Sequence, residues 1–273
     1  MTTRRVFLAA PLGLAGTSVA AQGILDVPPP PPGERIAYGS GEFQFGEMRM
    51  PSGRGPHPVA IVIHGGYWRA RYDLAHIGHL CVALNREGVA TWSLEYRRIG
   101  NPGGGYPGTL EDVRAGAAHL PKIDRPVDLK RAVAVGHSAG GHLVLWLAKQ
   151  NAIALRGVVP LAPVADLRRA WELKLSNTVV ADFLGGSPSE VPDRYRDASP
   201  IEMVPLGVRQ RVLHGANDDV VPIEISRRFV AAAKKSGDDS QFIEVARAGH
   251  FELIDPRSDA WTAVKSAVLE LVK

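Results

Sequence analysis

The chain has 273 residues, 45% of them hydrophobic and 22% charged, with a formal net charge of +4. This length and apolar share exclude a disordered chain or a disulfide-stapled miniprotein and suit one α/β domain with a large core. The single cysteine, Cys81, excludes an intrachain disulfide and a thiolate metal site, and the scattered arginine pairs at 97–98, 168–169 and 227–228 read as solvated faces rather than a stripe for nucleic acid.

At the N-terminus, Arg4-Arg5 precede an Ala/Leu/Gly-rich run to about residue 17, and Ser18-Val19-Ala20 offers a small-x-small cleavage site. Residues 1–20 therefore resemble a twin-arginine signal peptide, too short in their apolar part to span a bilayer, and the expectation is an exported, periplasmic or secreted protein. Residues 21–33 contain five consecutive prolines and read as a Pro-rich linker. The catalytic domain is expected over 34–273.

Phe43–Met50 alternates apolar and polar residues as a half-exposed edge strand would. Val59–Ile63 is a continuous β-branched run, expected of a strand buried on both faces, and ends in His64-Gly65-Gly66-Tyr67-Trp68. A helix is predicted over 74–86, with Cys81 on its buried face, and a buried strand over 89–94. The glycine-rich stretch 97–108 reads as a loop at the rim of a site, and 109–120 as a helix with Thr109 at its N-cap.

The centre of the pattern is Ala132–Trp146. A strand-like run meets Gly136-His137-Ser138-Ala139-Gly140, and a helical run follows at once. This is the strand–turn–helix context of a nucleophile elbow, which holds Ser138 out at a helix N-terminus where an oxyanion is favoured. A further strand is predicted over 155–161. Residues 165–207 break the alternation and read as an excursion over the site, with Trp171, Phe183 and Tyr195 as aromatics that either line a pocket or simply pack. A strand over 209–215 leads to Asn217-Asp218-Asp219, a helix over 223–235 follows, and a strand over 241–245 leads to Gly249-His250-Phe251. The last helix is expected from about 258 to 272.

Ser138, an acid near 218 and His250 each follow a predicted strand, in the chain order of an α/β-hydrolase triad. With the His-Gly-Gly-Tyr-Trp, Gly-His-Ser-Ala-Gly and Gly-His-Phe segments, and with His214-Gly215-Ala216-Asn217-Asp218-Asp219-Val220-Val221-Pro222, the chain resembles the α/β-hydrolase superfamily over residues 34–273. It is most similar to feruloyl-esterase-like carboxylesterases and to kynurenine formamidases (arylformamidases).

The resemblance implies an α/β-hydrolase fold: a mostly parallel central sheet, helices on both faces and a small excursion over the active site. It implies Ser138 as nucleophile, His250 as base and Asp218 as the acid, with Asp219 as the adjacent alternative. It places the oxyanion hole on Gly65, Gly66, Tyr67 and Ala139. Tyr67 and Trp68 replace the third glycine of many esterases and are expected to bind substrate, crowding the acyl side or stacking on an aryl group. The remaining histidines show no ligand spacing, so neither metal nor cofactor is expected.

The expected activity is hydrolysis of small or aryl carboxylic esters through an acyl-enzyme. An arylformamidase with the same triad is the alternative. A peptidase of the prolyl-oligopeptidase type and a non-catalytic binding module rank below both, the former because no segment here would supply its propeller. The partner implied is a small-molecule ester or formamide; oligomeric state is not legible.

Overall fold

The computed structural model describes residues 23–273, so the signal-like segment 1–20 lies outside the described residues. The strands among them are β1 (Glu34–Ala37), β2 (Phe45–Arg49), β3 (His57–Ile63), β4 (Ala90–Leu94), β5 (Val127–His137), β6 (Gly157–Leu161), β7 (Arg209–Gly215) and β8 (Ser240–Val245). They form one sheet in the order β1-β2-β4-β3-β5-β6-β7-β8. Pairings from β4 through β8 are parallel, and β2 runs antiparallel to both of its neighbours.

The helices are α1 (Gly78–Arg86), α2 (Gly108–His119), α3 (Ala139–Lys149), α4 (Leu167–Glu172), α5 (Val179–Leu184), α6 (Pro192–Ala198), α7 (Ile223–Lys235) and α8 (Trp261–Val272). The two-residue period of the strands divides the core into two layers. Ile61, Ile63, Trp92, Leu94, Ala134 and Val212 face a layer that includes α2, α3 and α7. Val62, Val133, Val135, Val159 and Leu213 face the other, filled by Leu80, Cys81 and Leu84 of α1 and Val264, Val268 and Leu271 of α8. Each such side chain contributes about 1.5–3 kcal/mol by leaving water, which is why the continuous apolar runs of β3 and β5 belong at the centre. Helices thus cover both faces of a mostly parallel sheet, as expected of an α/β-hydrolase.

Several local readings change. The segment at 43–50 does form a strand with alternating burial, but β1 lies outside it and takes the edge. Residues 23–33 pack on the body instead of hanging as a linker: Ile24 is buried, Arg49 Nη2 donates to Pro31 O, and Gly33 N donates to Glu47 Oε2. Thr109 is not an N-cap; it sits inside the first turn of α2, where its hydroxyl donates to Arg97 O.

Arg97 and Arg98 are not a solvated pair. Arg97 forks onto Asp112, and Arg98 is buried against Glu95 at 2.9 Å. The 97–108 loop packs under the excursion, with Tyr106 N donating to Phe183 O, and contributes nothing to the wall around Ser138. The excursion is built of α4, α5 and α6. In it Phe183 and Tyr195 are buried packing residues, and Trp171 packs, half-buried, against the same core.

Candidate active site

The C-terminal ends of β3, β5, β7 and β8 deliver the sequence-marked residues to one edge of the sheet, as the parallel strands require. The elbow is forced by close approach. A Cβ at Gly136 would lie 2.2 Å from Gly140 O, and one at Gly140 would lie 2.1 Å from Ile63 O. Between them Ser138 sits at φ 57°, ψ −117°, the N-cap of α3, with its N–H on Leu161 O at 2.8 Å. This is a strained backbone held in place by its neighbours on both sides.

His250 Nδ1 donates to Asp218 Oδ2 at 2.7 Å, which leaves Nε2 as the lone-pair nitrogen of a neutral ring. Asp218 Oδ1 accepts from the N–H groups of Val220 and Val221 at 2.9 and 2.8 Å, and His214 Nε2 lies 3.2 Å from Oδ2. Burial by itself would raise the Asp218 carboxyl, but the hydrogen bonds from His214, His250 and Val221 outweigh it and hold the group well below the usual carboxylate range. Asp219, one residue on, is exposed and makes no side-chain bond among the described residues.

Ser138 and His250 share the wall of a cavity of about 230 Å³. Gly66, Tyr67 and Val220 join them from loops marked in the sequence. Among the described residues the N–H groups of Gly66, Tyr67 and Ala139 have no acceptor, and Ser138 Oγ has no hydrogen-bond partner. The Tyr67 hydroxyl donates to Val220 O at 2.9 Å, tying the loop after β3 to the loop after β7; burial, with Asp218 nearby, pushes it up to about 12.

Two expectations for this loop are corrected. Trp68 does not reach the cavity: it is fully buried, stacked on Phe183 at 4.6 Å, with Nε1 donating to His142 Nδ1. Its positive φ of 55° turns it inward, where the excursion covers it. Gly65 is a spacer rather than part of the wall, since a Cβ there would meet His137 O at 2.7 Å and Ser138 Cβ at 3.1 Å.

Phe251, from the Gly-His-Phe segment marked in the sequence, also lines the cavity; the rest of the lining, Arg71, Tyr72, His76 and Ser176, was not singled out from the sequence. His76 and His137 are 61 positions apart, and only folding makes them neighbours. His137 Nε2 donates to His250 O at 3.0 Å, so its Nδ1 is the acceptor. His76 Nε2 therefore donates to it, at 2.8 Å. Burial holds His137 well below the ordinary imidazole range and lowers His76 to about 3. The ring of His137 lies between those of His76 and His250 at 5.0 and 4.4 Å.

The loop after β3 is braced from beneath. His64 Nε2 donates to Glu95 Oε1 at 3.1 Å, Arg98 pairs with the same oxygen, and Tyr96 OH donates to His64 O at 2.8 Å. The arrangement thus gathers an alcohol, an imidazole oriented by a carboxylate, and the unpaired N–H groups of Gly66 and Tyr67 around one small cavity, with that of Ala139 next to Ser138 in the chain. These are the parts acyl transfer needs.

Known proteins agree with this architecture. Esterase LipC of Mycobacterium tuberculosis is 29% identical over 248 residues, covering 81% of this chain and 60% of LipC. An uncharacterized peptidase, YuxL of Bacillus subtilis, is 24% identical over 241 residues, 80% of this chain and 35% of YuxL. The chain therefore spans only part of the length of these relatives. Among solved structures, a truncated carbohydrate esterase from gut microbiota superposes with a TM-score of 0.76 at 20% identity, covering 92% of this chain and 99% of that one. The profile of the prolyl oligopeptidase family matches residues 68–267, and the chain belongs to that family, within the α/β-hydrolases.

Proposed function

We propose that the chain hydrolyses carboxylic esters of small or aryl substrates through an acyl-enzyme. The observation that carries this reading is the 2.7 Å bond from His250 Nδ1 to Asp218, which aims the chemistry of the ring at Nε2 on the wall it shares with Ser138. Ser138 Oγ attacks the ester carbonyl and passes its proton to Nε2, a contact that closes when substrate is bound. The oxyanion meets the N–H groups of Ala139 and of Gly66 or Tyr67, each worth about 3 kcal/mol in the transition state. Collapse expels the alcohol with the proton from Nε2, and water then attacks the acyl-enzyme by the same route. Asp218 holds the ring in its tautomer and supports the imidazolium. The names of the relatives, esterase LipC and the 26%-identical probable carboxylic ester hydrolase LipM, support the ester class.

A formamide substrate is the second reading, favoured by the bulk of Tyr67 beside the unpaired N–H groups, which suits a formyl acyl group. Hydrolysis of 4-nitrophenyl acetate, methyl ferulate, N-formylkynurenine and a peptide 4-nitroanilide, run side by side, separates these readings and the peptidase one suggested by the family name. Preference for the first two supports the proposal; preference for either amide replaces it. A fluorophosphonate probe should label the wild type and not Ser138→Ala. Unchanged labelling of that variant removes the nucleophile assignment. From the leader-like residues 1–20 we also propose twin-arginine export, tested by cell fractionation: replacing Arg4 and Arg5 by lysine should retain the protein in the cytoplasm.

A further inference from the structure

We propose that Arg71 forms an anion subsite at the mouth of the Ser138 cavity, which takes a carboxylate carried on the substrate within a few bonds of the scissile carbonyl. The inference rests on the hydrolytic reading of Ser138 and His250 given above and adds the class of substrate. Arg71 is exposed, yet it lines the same cavity as Ser138 and His250. Its place is set by tight turns that leave the loop after β3, with Arg69 N on Gly66 O and Tyr72 N on Arg69 O.

The guanidinium lies over the Tyr72 ring, 4.6 Å from its centroid, and its Nη2 donates to the Tyr72 hydroxyl. Tyr72 is itself anchored, because its carbonyl accepts from the buried Arg98. The cation therefore rests on a fixed aromatic platform while most of its N–H fork stays open.

No ion pair among the described residues engages it. Among the described residues no carboxylate lies within ion-pair distance of Arg71, and its side chain makes no bond beyond Tyr72. Asp73 is two positions on, but its carboxylate caps the following turn by accepting from Ala75 N. Asp218 is consumed by His250, Val220 and Val221. A second guanidinium, Arg69, likewise has no carboxylate partner and donates to the carbonyl of Ser176, another wall residue. The guanidinium of Arg71 thus stands outside any ion pair among the described residues, and its planar fork has the geometry that matches a carboxylate. The volume of about 230 Å³ keeps that carboxylate close to the reacting carbonyl.

The test is a ratio of kcat/KM within matched ester pairs. Mono-4-nitrophenyl glutarate against 4-nitrophenyl pentanoate places the carboxylate on the acyl side, and 3-carboxyphenyl acetate against phenyl acetate places it on the alcohol side. In at least one pair the wild type should prefer the anionic ester, Arg71→Gln should lower that ratio by about tenfold, and Arg71→Lys should keep part of it. Raising NaCl from 50 to 500 mM should lower the wild-type ratio in the same pair. A general structural effect of the substitution would scale both esters and leave the ratio alone. Wild-type turnover of the neutral esters with ratios that Arg71→Gln does not move overturns the subsite and leaves the hydrolase standing. No turnover of any ester, together with no fluorophosphonate labelling, overturns the hydrolase reading and the subsite with it.

Discussion

The two walls of the cavity are built on opposite principles. On one, Ser138, Asp218 and His250 follow the ends of parallel strands, and the Asp218 carboxylate is held by two backbone N–H groups and by His250, with His214 beside it, leaving only Nε2 of His250 open. On the other, Arg71 and Tyr72 rise from successive turns, and Ser176 belongs to a stretch in which Lys174, Ser176, Asn177 and Thr178 all have positive φ. Reacting groups must be held to a fraction of an ångström, and strand ends in a packed sheet provide that. Arg71, Tyr72 and Ser176, proposed here to meet the substrate, sit on loops, where the chain accepts strain and open donors.

The sharpest way to break this contrast is on the rigid wall. Asp218→Asn should lower kcat for ester hydrolysis by about 10⁴, because the amide cannot hold His250 in the required tautomer. Asp219→Asn should change kcat by less than about threefold, since that carboxylate is exposed and bonded to nothing described. If Asp219→Asn is the crippling change instead, the acid assignment moves by one residue.

Beneath the loop after β3, Glu95→Gln keeps a carbonyl oxygen for His64 and Tyr96 N but leaves the buried guanidinium of Arg98 without its counter-charge. Urea unfolding should show a loss of about 3–5 kcal/mol. A loss below about 1 kcal/mol would mean the brace under the loop after β3 is not what holds it.

Acid should act on the same side of the molecule. Burial lowers His76 to about 3 and His142 to about 4, against 6.5 for a free imidazole, so below pH 6.5 the unfolded chain binds protons that the folded chain refuses. Asp218, held below the carboxylate range, contributes stability that is present above about 3.8 and is lost as pH falls further. Both effects have one sign. The melting temperature should fall steadily from pH 7 to pH 4, and a flat profile over that range would contradict the buried neutral histidines.

The smallest effect belongs to the loop wall. Thr178 is β-branched at φ 57°, so Thr178→Gly should raise stability by about 1 kcal/mol by thermal or urea unfolding. No gain would mean that the hydrogen bond from Thr178 Oγ1 to Asn177 O, lost in the variant, offsets the relief.

Much of this was readable one residue at a time. The helix expected over 223–235 coincides with α7, and the buried runs at 59–63 and 89–94 fall on β3 and β4. Those segments carry their own signal: α7 an apolar face at helical spacing, β3 and β4 compact buried runs dominated by apolar residues. By contrast β1, Glu-Arg-Ile-Ala, is largely exposed and has no apolar pattern, so nothing local announces it. The Pro-rich stretch 23–33 has no period either, yet Ile24 is buried in the core and hydrogen bonds with Arg49 and Glu47 hold the stretch against the body.

By itself, then, the sequence determined the central parallel strands, the elbow and the residues that can meet at their edge. Glycines at 136 and 140 admit one close backbone approach, and strand runs in this order can deliver 138, 218 and 250 only to the same side. Tertiary structure alone decided that Trp68 is core while Tyr67 is wall, because the packing of Phe183 from α5 claims one ring and Val220 O claims the hydroxyl of the other. It alone brought His76 beside His137, and Arg69 onto the carbonyl of Ser176. Such pairings depend on which distant surfaces meet, and no local period or propensity encodes that.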